Sequence, residues 1–194
     1  MIRLKEKEFA EIVEYMKTNY GINLEKKKVL IECRMTKILE KYELSSFREY
    51  LDQMYKDRSG KMQDDMVNRL TTNYTYFLRE QEHFDILKQY IFPELFEKRQ
   101  FKNITIWCAG CSTGEECYTL AMALEEYRGK ANLNFHIKIL ATDISEEVCR
   151  AVYPDREWKR IPERWRGKYC QTVDSKNFEI DEKIKYYVHF QKHL

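Results

Sequence analysis

The sequence predicts an α/β protein: an all-helical N-terminal part, residues 1–70, precedes a partial doubly wound α/β domain, residues 71–194. Three observations predict it. Residues 1–70 carry apolar side chains at helical spacing and nothing that alternates as a strand does. The run Ile104-Thr-Ile-Trp-Cys108 is β-branched and aromatic, reads as a buried strand, and is followed by a turn flanked by Gly110 and Gly114 and a helical pattern over 115–127. A second apolar run, Phe135-His-Ile-Lys-Ile-Leu-Ala141, ends in Thr142-Asp143 and completes a βαβ unit, so the two strands should be parallel with a right-handed crossover.

Taken in order, residues 5–20 form an amphipathic helix with Phe9, Ile12, Val13, Met16 and Tyr20 on one face, stopped by Gly21. Residues 25–42 make a second helix with the stripe Ile31, Met35, Ile38, Leu39 and Tyr42. Lys27, Arg34, Lys37 and Lys41 line another face of it, either as a solvated basic surface or as a docking surface for an acidic partner. Ser46-Phe-Arg-Glu49 is a capping box that starts a third helix with Phe47, Tyr50, Leu51 and Met54. A polar break over 57–60 precedes a short fourth helix over 63–70.

The stretch Thr71-Thr-Asn-Tyr-Thr-Tyr-Phe-Leu-Arg-Glu80 alternates polar and aromatic residues. It is either a linker with a half-buried face or one wall of a pocket, with Asn73, Thr75 and Arg79 supplying directed hydrogen bonds. Residues 82–90 are helical, and Pro93 begins or kinks the next turn. A helix is expected from Ser145 to about Val152. Beyond it, residues 168–173 and 183–190 are expected to pair as a small antiparallel element.

The chain is 43% hydrophobic and 34% charged, which suits a soluble globular protein. Its net charge of +2 gives no footprint for nucleic acid. No apolar run approaches the roughly 20 residues of a membrane helix, and the start lacks a signal-peptide core, so a cytoplasmic location without membrane insertion is expected. Six cysteines in a reducing compartment read as small buried hydrophobes. Cys108, Cys111 and Cys117 lie close together in sequence, but no second pair stands at ligand spacing, and no metal is expected.

A strand, a glycine turn and a helix N-terminus let a backbone approach a ligand closely. An acidic residue at the end of the next strand, here Asp143, is where such folds hold ribose hydroxyls, although it could also cap a helix. The turn lacks the G-x-G-x-x-G spacing of a pyrophosphate site. Together the turn and the acid point to a nucleoside-containing ligand.

With these residues in hand, the chain resembles the CheR family of chemotaxis receptor methyltransferases. The resemblance rests on Thr71-Thr-Asn-Tyr-Thr-Tyr-Phe-Leu-Arg-Glu80 with His83-Phe84, on Trp107-Cys-Ala-Gly-Cys-Ser-Thr-Gly-Glu-Glu116 with Tyr118, and on Leu140-Ala-Thr-Asp-Ile144. It implies a helical subdomain followed by a partial Rossmann-like S-adenosylmethionine-dependent methyltransferase domain with a small inserted β-subdomain, about residues 153–190. It implies S-adenosylmethionine as cofactor, S-adenosylhomocysteine as product, and methylation of glutamate side chains in the cytoplasmic domain of methyl-accepting receptors. It implies that Asn73, Thr75, Arg79, Gly110, Gly114, Glu116 and Asp143 bind the cofactor, and that Lys27, Arg34, Lys37 and Lys41 face the receptor. Arg79 is further expected to orient the substrate carboxylate, because a guanidinium makes paired, directional bonds to carboxylates; its competing role is to hold the cofactor's own carboxylate. The family pattern continues past Leu194 with further strands, so the chain is read as truncated at its C-terminus. On that reading the strand at 104–108 is an exposed edge that invites a homodimer or domain swap, and a non-catalytic partner-binding protein is the alternative function.

Overall fold

The computed structural model describes residues 2–145 and 151–192. It forms two compact units, one running to Thr72 and the other starting at Asn73. The first holds four helices, α1 (Glu6–Tyr20), α2 (Lys28–Lys41), α3 (Phe47–Met54) and α4 (Lys61–Leu70). Their apolar stripes close a core of their own, in which Ile12, Met16, Ile31, Met35, Leu39, Tyr50 and Met66 are fully buried.

The ends of these helices follow local chemistry. Gly21 takes a left-handed φ of 67° and donates its N–H to the Lys17 carbonyl, while the Ile22 N–H reaches back to Met16. The capping box at α3 is half as expected: Ser46 accepts the Glu49 N–H at 3.2 Å, but the Glu49 carboxylate turns to the Ser45 N–H and hydroxyl. In the polar break, Asp57 accepts from the Ser59 N–H and hydroxyl and from the Met62 N–H, and these bonds hold its carboxyl below the usual range. The end of α4 is capped from another helix, because Arg34 Nη1 donates to the carbonyls of Arg69, Leu70 and Thr71.

The second unit opens with α5 (Gln81–Ile86), which runs on through two wide π-helical stretches, Leu87–Ile91 and Pro93–Lys98. Pro93 lies inside this run, at the start of the second stretch. Then come β1 (Asn103–Ala109), α6 (Glu115–Lys130) and β2 (His136–Asp143). β1 and β2 are parallel, from Asn103 opposite His136 to Ala109 opposite Thr142. The middle of α6, residues 117–124, is buried on every side, so its continuous apolar run reflects a helix enclosed by neighbours rather than one striped face. Phe96 stacks on Phe135 with centroids 3.8 Å apart, fastening the π-helical segment to the start of β2.

The remaining elements correct the sequence reading in four places. Residues 146–150 of the helix expected over 145–152 lie outside the described residues, and Val152 begins a strand, β3 (Val152–Pro154). α7 (Asp155–Trp158), α8 (Glu163–Tyr169), β4 (Cys170–Thr172), β5 (Asn177–Ile180), α9 (Glu182–Lys185) and β6 (Val188–Lys192) follow. The 168–173 segment pairs with β5 rather than with 183–190, giving the antiparallel order β3-β5-β4. The turn residues Asp174 and Asn177 make this hairpin: the Asp174 carboxylate accepts from the Lys176 N–H and the Asn177 amide. β6, placed by the sequence reading inside the inserted subdomain, instead joins the main sheet parallel to β2, so the insertion closes before Val188. A buried knot holds that return. Glu125 on α6 accepts from Lys183 at 2.5 Å, from Tyr187 Oη at 3.0 Å and from Arg128. Burial opposes the charge on Glu125, but these three partners outweigh it and hold its carboxyl below the ordinary range.

β1 is the fourth correction. It is not buried on both faces: its side chains alternate, with Trp107 61% exposed while Cys108 is buried. Among the described residues β1 is also the edge of the sheet order β1-β2-β6. An open edge carrying exposed apolar side chains tends to pair. We expect concentration-dependent self-association in light scattering, suppressed by Thr105→Lys; a monomer at every concentration contradicts it. Phe96→Ala should cost about 3–5 kcal/mol in denaturant unfolding; a loss under about 1 kcal/mol would show that the stack does not anchor β2.

Candidate functional site

The site is built around the turn between β1 and α6. Gly110 and Gly114 take φ of 77° and 90°, and Ser112 between them takes 47°, where a side chain is strained. The turn keeps this shape because three successive N–H groups land on the end of β2. Gly110 and Cys111 donate to the Thr142 carbonyl at 2.8 and 2.9 Å, and Ser112 donates to Asp143 Oδ2 at 2.6 Å. Ser112 Oγ then donates to the Asn73 carbonyl at 3.1 Å, and the Tyr153 hydroxyl donates to the Thr113 carbonyl at 2.7 Å. One turn therefore gathers three separate stretches: the 71–80 motif, the end of β2, and the start of the insertion.

A pocket of 480 Å³ lies beside this turn, between the motif and the start of the insertion. One wall is Asn73, Tyr74, Thr75 and Tyr76, the turn contributes Thr113 and Glu115, and the insertion contributes Pro154, Arg156, Glu157 and Arg160. The motif wall is fixed by strained backbone. Leu78 and Glu80 take φ of 57° and 54°, and the Leu78 N–H reaches the Thr119 hydroxyl at 3.4 Å. The Phe77 ring meets Tyr153 edge-on at 4.8 Å, and the Phe77 N–H reaches Glu157 Oε2 at 3.4 Å.

The residues proposed from sequence fall in different places. Asn73 and Thr75 line the pocket. Asp143 is buried at the end of β2 and is joined to the pocket wall through Ser112. Gly110 stands open, since a Cβ there would meet no atom within 4 Å. Arg79 is half exposed and donates Nη1 to the Tyr74 carbonyl at 3.0 Å; it buttresses the motif and is not among the lining residues. Glu116 is exposed, and its neighbour Glu115 enters the pocket instead. Of the basic stripe on α2, Lys27 and Lys37 are exposed, Arg34 caps α4, and Lys41 pairs with Asp65 at 2.5 Å.

The pocket residues that the sequence reading missed are Thr113, Glu115, Arg156, Glu157 and Arg160. Two adjacent glutamates after a glycine cannot be separated by spacing, because the entry angle of the helix decides which one turns inward. Arg156 lies in α7 and Arg160 in the turn after it, so helical spacing does not mark them as neighbours. Burial pushes the Glu115 carboxyl up, against the Thr113 hydroxyl that donates to it at 2.6 Å. Beneath the turn, Cys117 is enclosed by the thiols of Cys108 and Cys111, and these neighbours together with burial push it up, so it stays protonated. Among the described residues no cluster of three or more His, Cys, Asp or Glu side chains is arranged to hold a metal ion.

With this geometry in place, comparison with known proteins is decisive. Residues 73–193 match the family model described as CheR methyltransferase, SAM binding domain, and residues 7–71 match the CheR methyltransferase all-alpha domain. The chain belongs to the CheR methyltransferase family. It is similar to a chemotaxis protein methyltransferase of Borreliella burgdorferi, 38% identical over 98% of this chain and 70% of that protein. A probable chemotaxis protein methyltransferase of Rhizobium etli is 30% identical over 83% of this chain and 63% of its own length. For chemotaxis protein methyltransferase 1 of Pseudomonas aeruginosa the figures are 34%, 64% and 46%. The chain thus spans between about half and seven tenths of these relatives. The cofactor of the matched CheR domain is S-adenosylmethionine. The residues present suit it: an open glycine backbone, a carboxylate at the strand end and a polar pocket beside the turn offer donors and acceptors.

Glu115 sets a pH prediction. A carboxyl whose folded pKa is raised binds its proton more tightly when folded, so its burial penalty is small in acid and full above the folded pKa. Glu115→Gln should therefore raise the melting temperature at pH 8 and leave it little changed near pH 4. A larger gain at pH 4 than at pH 8 would contradict the assignment.

Proposed function

We infer that this chain carries the cofactor site of a protein-glutamate O-methyltransferase that acts, in the cytoplasm, on glutamate side chains of the cytoplasmic domain of chemotaxis receptors. The observation that carries the reading is the turn at 110–114, which ties Asp143 to Asn73 through the single residue Ser112. Family membership and the names of the relatives support the same reaction class.

On this reading Asp143 takes the ribose hydroxyls, Gly110 and Gly114 give the cofactor room against the backbone, and Asn73, Thr75 and Thr113 hold its amino-acid end. Bound there, S-adenosylmethionine would supply an electrophilic methyl on a sulfonium: the acceptor carboxylate oxygen would bond to that methyl as the carbon–sulfur bond breaks, giving a methyl ester and leaving the neutral thioether. The acceptor carboxylate is already ionised at neutral pH, so the chain needs no general base. Its work is positioning, which can supply up to roughly 7–11 kcal/mol in the best cases. The buried Glu115 and Glu157 suit a pocket that receives positive charge. Lys27 and Lys37, exposed on the helical unit, are the basic residues we assign to the receptor-facing surface.

Calorimetry with S-adenosylhomocysteine tests the reading. The chain should bind it with micromolar affinity, and Asp143→Ala should weaken binding at least tenfold. No binding at millimolar ligand would sink the cofactor site for this chain; unchanged affinity in the variant would refute the ribose assignment.

A further inference from the structure

The pocket beside the turn contains two guanidinium groups whose task the cofactor does not account for. Arg156 and Arg160 are the cations among its lining residues, and both come from the start of the insertion rather than from the motifs that carry the family resemblance. Arg160 is held from two sides. Its guanidinium lies over the Tyr76 ring at 4.2 Å from the centroid, and its Nε is 3.5 Å from Glu157 Oε2. Glu157 is itself buried and takes the Phe77 N–H, so the anchor is part of the motif wall. The contact with Glu157 is made through Nε, and the side chain is still 44% exposed.

We propose that Arg160, assisted by Arg156, takes the acceptor carboxylate in this pocket and selects an ionised glutamate over its amide. The proposal rests on reading the pocket as the methyl-transfer site. A guanidinium pinned on an aromatic face and by a carboxylate loses little freedom when it binds, and its planar donors match a carboxylate directionally. Gripping one carboxylate oxygen leaves the other for attack. The signs divide accordingly: the buried glutamates Glu115 and Glu157 favour the cationic cofactor, and Arg156 and Arg160 favour the anionic acceptor. Arg79 is less suited to the task, because it is tied to the Tyr74 carbonyl and stands outside the lining.

The test uses a synthetic receptor-type helical peptide carrying a single glutamate, and the same peptide with glutamine in its place. Fluorescence anisotropy measures both against the wild-type chain, Arg160→Ala, Arg160→Lys, Arg156→Ala and Arg79→Ala, with S-adenosylhomocysteine calorimetry on the same preparations. We expect the wild type to prefer the glutamate peptide by about tenfold. Arg160→Ala should reduce the preference to within about twofold, Arg160→Lys should keep part of it, Arg156→Ala should lose part of it, and S-adenosylhomocysteine affinity should not move in Arg160→Ala. A wild type without preference, a preference intact in Arg160→Ala, or one lost in Arg79→Ala alone overturns the proposal. If the wild type fails to bind S-adenosylhomocysteine but keeps an Arg160-dependent preference, the cofactor reading falls and the arginine assignment stands.

Discussion

Everything at this site depends on three backbone N–H groups donated from one turn to the end of one strand. The amides of Gly110, Cys111 and Ser112 converge on the Thr142 carbonyl and the Asp143 carboxylate. Cys111 is buried, and a buried amide without a partner costs about 1–3 kcal/mol; Ser112 is half-buried and Gly110 exposed. Satisfying all three at once fixes the turn in a shape that Ser112, with its positive φ, would not adopt alone. The same bonds join Asp143 to the turn and let Ser112 reach Asn73 on the pocket wall. Sheet, glycine turn and motif are thus one unit in which each part holds another in a strained or committed geometry.

That unit needs a rigid frame, and the second core provides it. α6 is enclosed through its middle, Phe96 and Phe135 clamp the approach to β2, and the Glu125 knot ties α6 to the segment that returns into β6. The insertion is fastened separately, through Tyr153 to the turn and through Glu157 to the motif. The pocket therefore lies where two independently held pieces meet within one unit. On the reading proposed above, an acceptor side chain in this pocket would meet Arg156 and Arg160 from the insertion and Thr113 and Glu115 from the turn.

Much of this was legible in the sequence, and the parts that were not have physical reasons. Helix positions in the first unit follow from 3.6-residue stripes and from Gly21 and Ser46, which act locally. The βαβ unit and the placing of Asn73, Thr75 and Asp143 near one turn followed from strand runs, glycines and motif order. What failed depends on tertiary partners. A continuous apolar strand did not reveal that one face of β1 is open, because residue type does not say which neighbours a strand has. β5 and β6 are both short and interleave apolar with polar residues, and it is β5, reached directly through the turn at Asp174, that meets β4. Glu115 and Glu116 differ by one helical step of about 100°, which no spacing rule resolves. The basic stripe on α2 looked uniform, yet Arg34 is committed to the end of α4.

If Asp143 and Thr142 hold the turn in a form ready for the cofactor, amide hydrogen exchange read by NMR at Gly110, Cys111 and Ser112 will show it. Exchange should be slow at all three in the free chain, slower still with S-adenosylhomocysteine, and selectively released at the Ser112 amide in Asp143→Ala. Rapid exchange at these amides in the free chain, or a Ser112 amide indifferent to the loss of Asp143, would contradict it.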